Sequence, residues 1–236
     1  MKTRLQIVVV AALLVPTVHA ETYFHPSWDS RAKAQWILAV FPATYETELH
    51  GIAGRSLHRE ESEVIEGQLA AYAIGALEAR GWTIADDSFR RQDIAQNREL
   101  LYLVGYLRER HATLAQRVMR TPKEMKAGRV SFGKPITELK PFTKANILVF
   151  VHVEGLRSTA AARILGLVGD SAVLLWGSPP ARIVALNQLS AEIFSGPKVT
   201  IHMSFVDAES GDILCFIRPN STGERAFLKE LDKLQR

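Results

Sequence analysis

The stretch Lys198 to Arg218, KVTIHMSFVDAESGDILCFIR, constrains the fold most strongly. Val199, Ile201, Met203 and Phe205 alternate with Thr200, His202 and Ser204, the period-two signature of a half-buried strand. Asp207 to Asp212 then supplies turn residues, with Gly211 free to take a positive φ. Ile213 to Ile217 is a return strand that is apolar on both faces, as expected inside a covered sheet. A hairpin of this kind needs other strands beside it and helices over it. The expected fold is therefore α/β, or α+β: one mixed sheet covered by helices, with a carboxy-terminal hairpin followed by a helix.

The rest of the chain supplies those elements. Gln35 to Phe41 is a compact apolar run ended by Pro42 and reads as a buried strand. Glu21 to Ser30 reads as a loose lead-in, and residues 43–61, with Gly51 and Gly54, as a surface loop. From Ser62 to Arg80 the period becomes helical, with Gly81 as the expected C′ residue. Trp82 to Ala85 is a short strand, and Asp86, Asp87 or Ser88 caps a second helix. Leu100, Val104, Leu107, His111, Leu114 and Val118 form its apolar seam, which stops at Thr121-Pro122. Val130 to Gly133 is a candidate short strand. Asn146 to Val153 is the strongest strand of all, closed by Glu154-Gly155. The last helix spans about Thr222 to Leu234, with Ala226, Phe227, Leu231 and Leu234 inward.

Residues 1–20 stand apart. Lys2 and Arg4 precede the apolar run Ile7–Val15, and Val18-His19-Ala20 closes it with small residues at the positions a signal peptidase reads. The run is too short to span a bilayer. These features predict a secretory leader cleaved after Ala20, an exported periplasmic chain, and no lipid anchor, since no Cys follows the cleavage site. The single cysteine, Cys215, cannot form an internal disulfide and reads as a small apolar core residue.

Without the leader, twenty-seven basic and twenty-five acidic residues remain, so the mature chain is near neutral. The charge is unevenly spread. Residues 88–144 carry thirteen Lys/Arg against five Asp/Glu, and residues 45–66 carry six Glu against two Arg. In an exported protein a basic patch points to anionic lipid or polymer rather than to nucleic acid. Arg91, Arg98, Arg108 and Arg117 of the second helix are the candidate anion contacts, beside Arg90 and Arg110. Residues 156–197 form an apolar insertion interrupted by Arg163, Asp170 and Pro179-Pro180. It reads as a packed helix followed by an irregular loop, or as a membrane-touching segment. Leu174, Leu175 and Trp176 are its candidate partner or membrane contacts.

The order strand, helix, strand, helix, strand, insertion, hairpin, helix carries a resemblance. QWILAVFP, EARGWTIADD, ANILVFVHVEG and KVTIHMSFVDAESGDILCF together resemble the α/β domain of CsgG-type curli-secretion proteins and the TolB amino-terminal domain. The chain looks closest to uncharacterised members of that superfamily. The sharpest segment is Val206 to Leu214, similar to a VDxxTGEVLW hairpin, with Ser210 and Asp212 where Thr and Glu are usual and Cys215 where Trp is frequent. The resemblance covers Gln35 to the carboxy terminus and implies non-enzymatic envelope work with a protein partner. Pore formation is not implied, because the insertion and the missing lipobox depart from the curli channel.

No HExxH, GxSxG, Walker loop or CxxC occurs, and no cofactor motif. His50, His58, Glu60 and Glu61 lie together in sequence and would carry a hydrolase or metal-enzyme reading, against a solvated polar loop. His152 and His202 stand mid-strand and are expected as half-exposed neighbours, able in principle to bind metal or respond to pH. Asp207 and Asp212 bracket the turn, where carboxylates satisfy backbone groups. Three functions are therefore weighed: an envelope accessory or scaffold protein, a binding module for an anionic envelope component, and an enzyme built on His50, His58 and Glu60.

Overall fold

The computed structural model describes residues 21–30, 33–48, 59–85, 89, 91–157, 179–195, 199–219 and 222–235. The strands are β1 (Glu21–Phe24), β2 (Ile37–Val40), β3 (Thr44–Glu48), β4 (Thr83–Ile84), β5 (Ile147–Arg157), β6 (Thr200–Asp207) and β7 (Ile213–Arg218). The helices are α1 (Arg59–Glu78), α2 (Arg91–Gln96), α3 (Arg98–Arg120), α4 (Pro122–Lys126), α5 (Pro179–Ile193) and α6 (Glu224–Lys233). Two 3-10 turns, Lys33–Gln35 and Lys134–Leu139, complete the described elements.

All strands join one mixed sheet in the order β1-β7-β6-β5-β2-β4, with β3 also paired to β5. Pairing is antiparallel from β1 through β5 and parallel among β5, β2, β3 and β4. The expected α/β class and the hairpin followed by a helix are thus observed. Helices α1, α5 and α6 cover one face, and α2, α3 and α4 the other.

The alternation of side chains along β5 and β6 sorts them between two cores. Ile147, Val149, Val151 and Val153 of β5, with Ile201, Met203 and Phe205 of β6, enter the core under α1 and α6. Leu148 and Phe150 of β5 and Val206 of β6 enter the core under α3. A bulge between Phe205 and Val206 sets Leu214 and Cys215 on the same side and returns Phe216 to the α3 side.

Several expectations are corrected. The first hairpin strand is not half-buried: from Ile201 to Asp207 every residue is buried, because α3 covers the face that carries His202 and Ser204. The lead-in is strand β1, paired with β7 from Glu21 to Phe24. Residues 43–61 are not one loop. Pro42 lacks an N–H and interrupts the ladder, but the chain resumes along β5 as β3, and α1 already starts at Arg59. β5 does not stop at Glu154-Gly155 but continues to Arg157, since β3 extends its partner edge. The second helix is two helices. Asn97 caps α3, its Oδ1 accepting from the N–H groups of Glu99 and Leu100 at 3.0 and 3.1 Å, while the cap expected at Asp86, Asp87 or Ser88 lies outside the described residues. In the insertion, Pro179-Pro180 open α5, as proline at a first turn can, and the helix expected before them falls on residues 158–178, outside the described ones.

Candidate functional site

The hairpin turn is structural. Asp207 Oδ1 accepts from the N–H groups of Glu209 and Ser210 at 2.8 and 2.6 Å, an Asx-type arrangement. Gly211 takes φ +76, and Phe132 N–H donates to its carbonyl at 2.8 Å. The segment Val130–Gly133 therefore docks on the turn through a Ser131–Asp212 bridge rather than forming a full strand.

Of the buried polar side chains, His111, His202 and Ser204 lie on the α3 face of the sheet, while Gln68, Ser190 and Glu230 belong to α1, α5 and α6 on the other. His152 and His202 are direct cross-strand partners on β5 and β6, with ring centroids 6.1 Å apart. They are less exposed than expected: His202 is 3% exposed and His152 only partly so. Thr44 Oγ1, at the start of β3, lies 2.8 Å from His152 Nδ1 and fixes that ring. His202 Nε2 is buried and makes no well-aligned hydrogen bond, but Glu154 Oε2 stands 3.3 Å from it. Glu154 Oε1 is 3.9 Å from His152 Nε2. The carboxyl of Glu154 is held below the usual range chiefly by the His202 imidazole, with His152 and Arg218 adding to this and burial opposing it.

One turn of sheet away, His111 of α3 reaches down to Ser204, with Nε2 and Oγ 2.8 Å apart. Its ring stacks on Phe150 at 4.9 Å and lies nearly parallel to Phe132 at 6.3 Å. Burial, and then the neighbouring His152 and His202, push the His111 pKa down to about 3. The ring is therefore neutral at ordinary pH. A neutral imidazole beside a serine hydroxyl has the composition of a nucleophile and its base. Here, however, Ser204 is 0% exposed and His111 3%, so no substrate reaches them. The pair satisfies two buried polar groups. The sequence located His111 in the seam but gave no sign of its partner, because Ser204 alternates with core residues as any outward serine would.

The candidate anion contacts are scattered rather than gathered. Arg108 donates to the Ala43 carbonyl at 3.0 Å and pairs with Glu66 of α1 at 2.6 Å, so it ties the two helical layers together. Arg117 pairs with Glu124 at 2.5 Å. Arg110, from the same helix, donates to the Phe132 carbonyl at 3.1 Å. Arg98 is exposed at the start of α3, and Arg91 lies in α2. Cys215 is buried in mid-strand, and burial pushes its thiol well above the usual range, which removes the thiolate a nucleophile needs. His50, His58, Leu174, Leu175 and Trp176 lie outside the described residues, as does the side chain of Glu60.

Among the described residues no three His, Cys, Asp or Glu side chains are arranged to hold a metal ion. No described helix is long and apolar enough to cross a membrane. No family model matches the chain, and neither a curated protein nor a solved structure matches it.

Proposed function

We propose that this chain is a non-enzymatic accessory or scaffold protein of the bacterial cell envelope, exported to the periplasm and working beside a protein partner, with outer-membrane association as one location. The plan on which the proposal rests is the CsgG-type and TolB-like one that its hairpin resembles. The observation that carries it is the junction between leader and domain. The leader-like residues end at Ala20, and the sheet begins at once with β1 at Glu21. Removal of residues 1–20 would therefore leave every described strand of the sheet intact. The internal polar groups support the same reading, since His111, Ser204, Asp207 and Arg108 are each engaged by the fold itself. The hydrolase or metal-enzyme alternative rests on His50, His58 and Glu60 and gains nothing from the described residues.

The test is to express the full chain in a bacterial host and analyse the periplasmic fraction by intact-mass spectrometry. A mass that begins at Glu21 is the expected result. A full-length chain retained in the cytoplasm would refute the proposal.

A further inference from the structure

The sheet separates two helical layers of opposite charge. Helices α2, α3 and α4 together hold eight Lys/Arg and four Asp/Glu, a net of +4. Helices α1, α5 and α6 hold five and nine, a net of −4. The loops that follow α4 extend the excess on the basic side with the exposed Arg129, Lys134, Lys140 and Lys144.

The outer face of the basic layer has a second property. Three of the six large apolar or aromatic side chains left exposed in the described fold lie on α3: Leu101 at 41%, Tyr102 at 77% and Tyr106 at 38%. Arg98, Tyr102 and Tyr106 follow one another at four-residue spacing and share a face of the helix. Arg120 lies eighteen residues beyond Tyr102, five whole turns, and therefore on the same line. Arg120, Lys123 and Lys126 are all exposed around the α3–α4 corner. Glu99 and Glu109 interrupt the face without reversing its sign.

We propose that this face of α3 and α4 docks on an anionic lipid bilayer surface. Tyrosine has an apolar body and a polar tip and settles at the headgroup level. Arginine and lysine beside it reach anionic headgroups, each cation contributing roughly fivefold in affinity near a charged surface. A soluble polyanion would use the cations but has no need of three exposed apolar or aromatic groups beside them. The acidic layer opposite gives the molecule a direction, so the field of the membrane orients the basic face toward it. This docking does not depend on the accessory role. Its failure leaves export untouched, and a cytoplasmic chain would still be expected to bind vesicles.

The experiment is vesicle co-sedimentation of the chain from Glu21 to Arg236. Vesicles of phosphatidylglycerol mixed with phosphatidylcholine are compared with phosphatidylcholine alone. The chain should partition at least about tenfold better onto the anionic vesicles and lose that advantage when NaCl rises from about 0.1 to about 0.5 M. Arg120→Glu/Lys123→Glu/Lys126→Glu should abolish the preference for anionic lipid. Tyr102→Ser/Tyr106→Ser should weaken binding by about tenfold and keep its salt dependence. All of these positions are exposed, and thermal unfolding by circular dichroism checks that each variant is folded. Equal partition onto both vesicle types overturns the proposal, as do folded variants that bind like the parent. Charge-dependent binding that is indifferent to the tyrosines and fully displaced by a soluble polyanion also overturns it, in favour of a polymer site.

Discussion

His111 shows how one residue can be costly and useful together. Its imidazole stacks on Phe150, which in turn stacks on Phe132, and satisfies the buried Ser204 hydroxyl. Removing one partner leaves the other unsatisfied, whereas removing both leaves only shape to match. His111→Phe and Ser204→Ala should each lower stability, the first by about 1–3 kcal/mol, and the double variant should recover most of that loss. Urea unfolding of the four proteins in a double-mutant cycle measures it, and strictly additive effects would disprove the coupling. The same pair predicts a pH dependence. The folded pKa of His111 is about 3 and its ordinary value 6.5, so between those limits the unfolded chain binds the extra proton. Stability from this group is complete above pH 6.5 and falls as the pH drops, by about 2 kcal/mol between pH 7 and pH 5. The variant His111→Phe/Ser204→Ala should lack that part of the slope. Glu154 acts in a lower window: its depressed carboxyl stabilises the fold above the ordinary carboxylate pKa and loses its contribution as the pH falls through its folded value.

The hairpin is the element on which most of the structure converges. Gly211 sits at φ +76, and a Cβ there would stand 2.8 Å from the Gly133 carbonyl oxygen and 2.9 Å from its nitrogen. Both contacts are backbone, so they cannot swing aside. Gly211→Ala should therefore cost about 2 kcal/mol or more, combining left-handed strain with the clash. A thermal midpoint unchanged from the parent would contradict this. Phe205 is fully buried and lies 6.1 Å from both Trp28 and Trp82, so Phe205→Ala should cost about 3–5 kcal/mol. The turn, the return strand and the α3 seam were legible because their signals are local: turn residues, alternation and helical period. β1 and β3 were not. Tyr23 and Phe24 stand among polar neighbours, and Thr44-Tyr45 follows a proline, so only the free edges of β7 and β5 make strands of them. The engagement of His202 was hidden for a related reason. An alternating pattern marks one face as polar but does not show that α3 covers it.

The described residues form two cores that share one sheet. β5, β6 and β7 send alternate side chains to both, so neither core can dissolve without stripping the other of its floor. This predicts a single cooperative transition rather than independent melting of two layers. The tryptophans offer an unusual check. Trp28, Trp36 and Trp82 all belong to the core under α1 and α6, with Trp36 at 5.0 Å from Trp28 and 5.7 Å from Trp82. Fluorescence therefore reports on one core, while far-ultraviolet circular dichroism also senses the long helix α3 on the other side. In a Trp176→Phe background, which leaves only those three tryptophans, the two probes should give superimposable urea curves at neutral pH. At about pH 5 the penalty from His111 falls on the α3 side alone, yet through the shared strands it should move both curves together by the same amount. If instead the dichroism signal falls first and the fluorescence holds, α3 and its core detach as a separate unit, and the sheet does not couple the two faces.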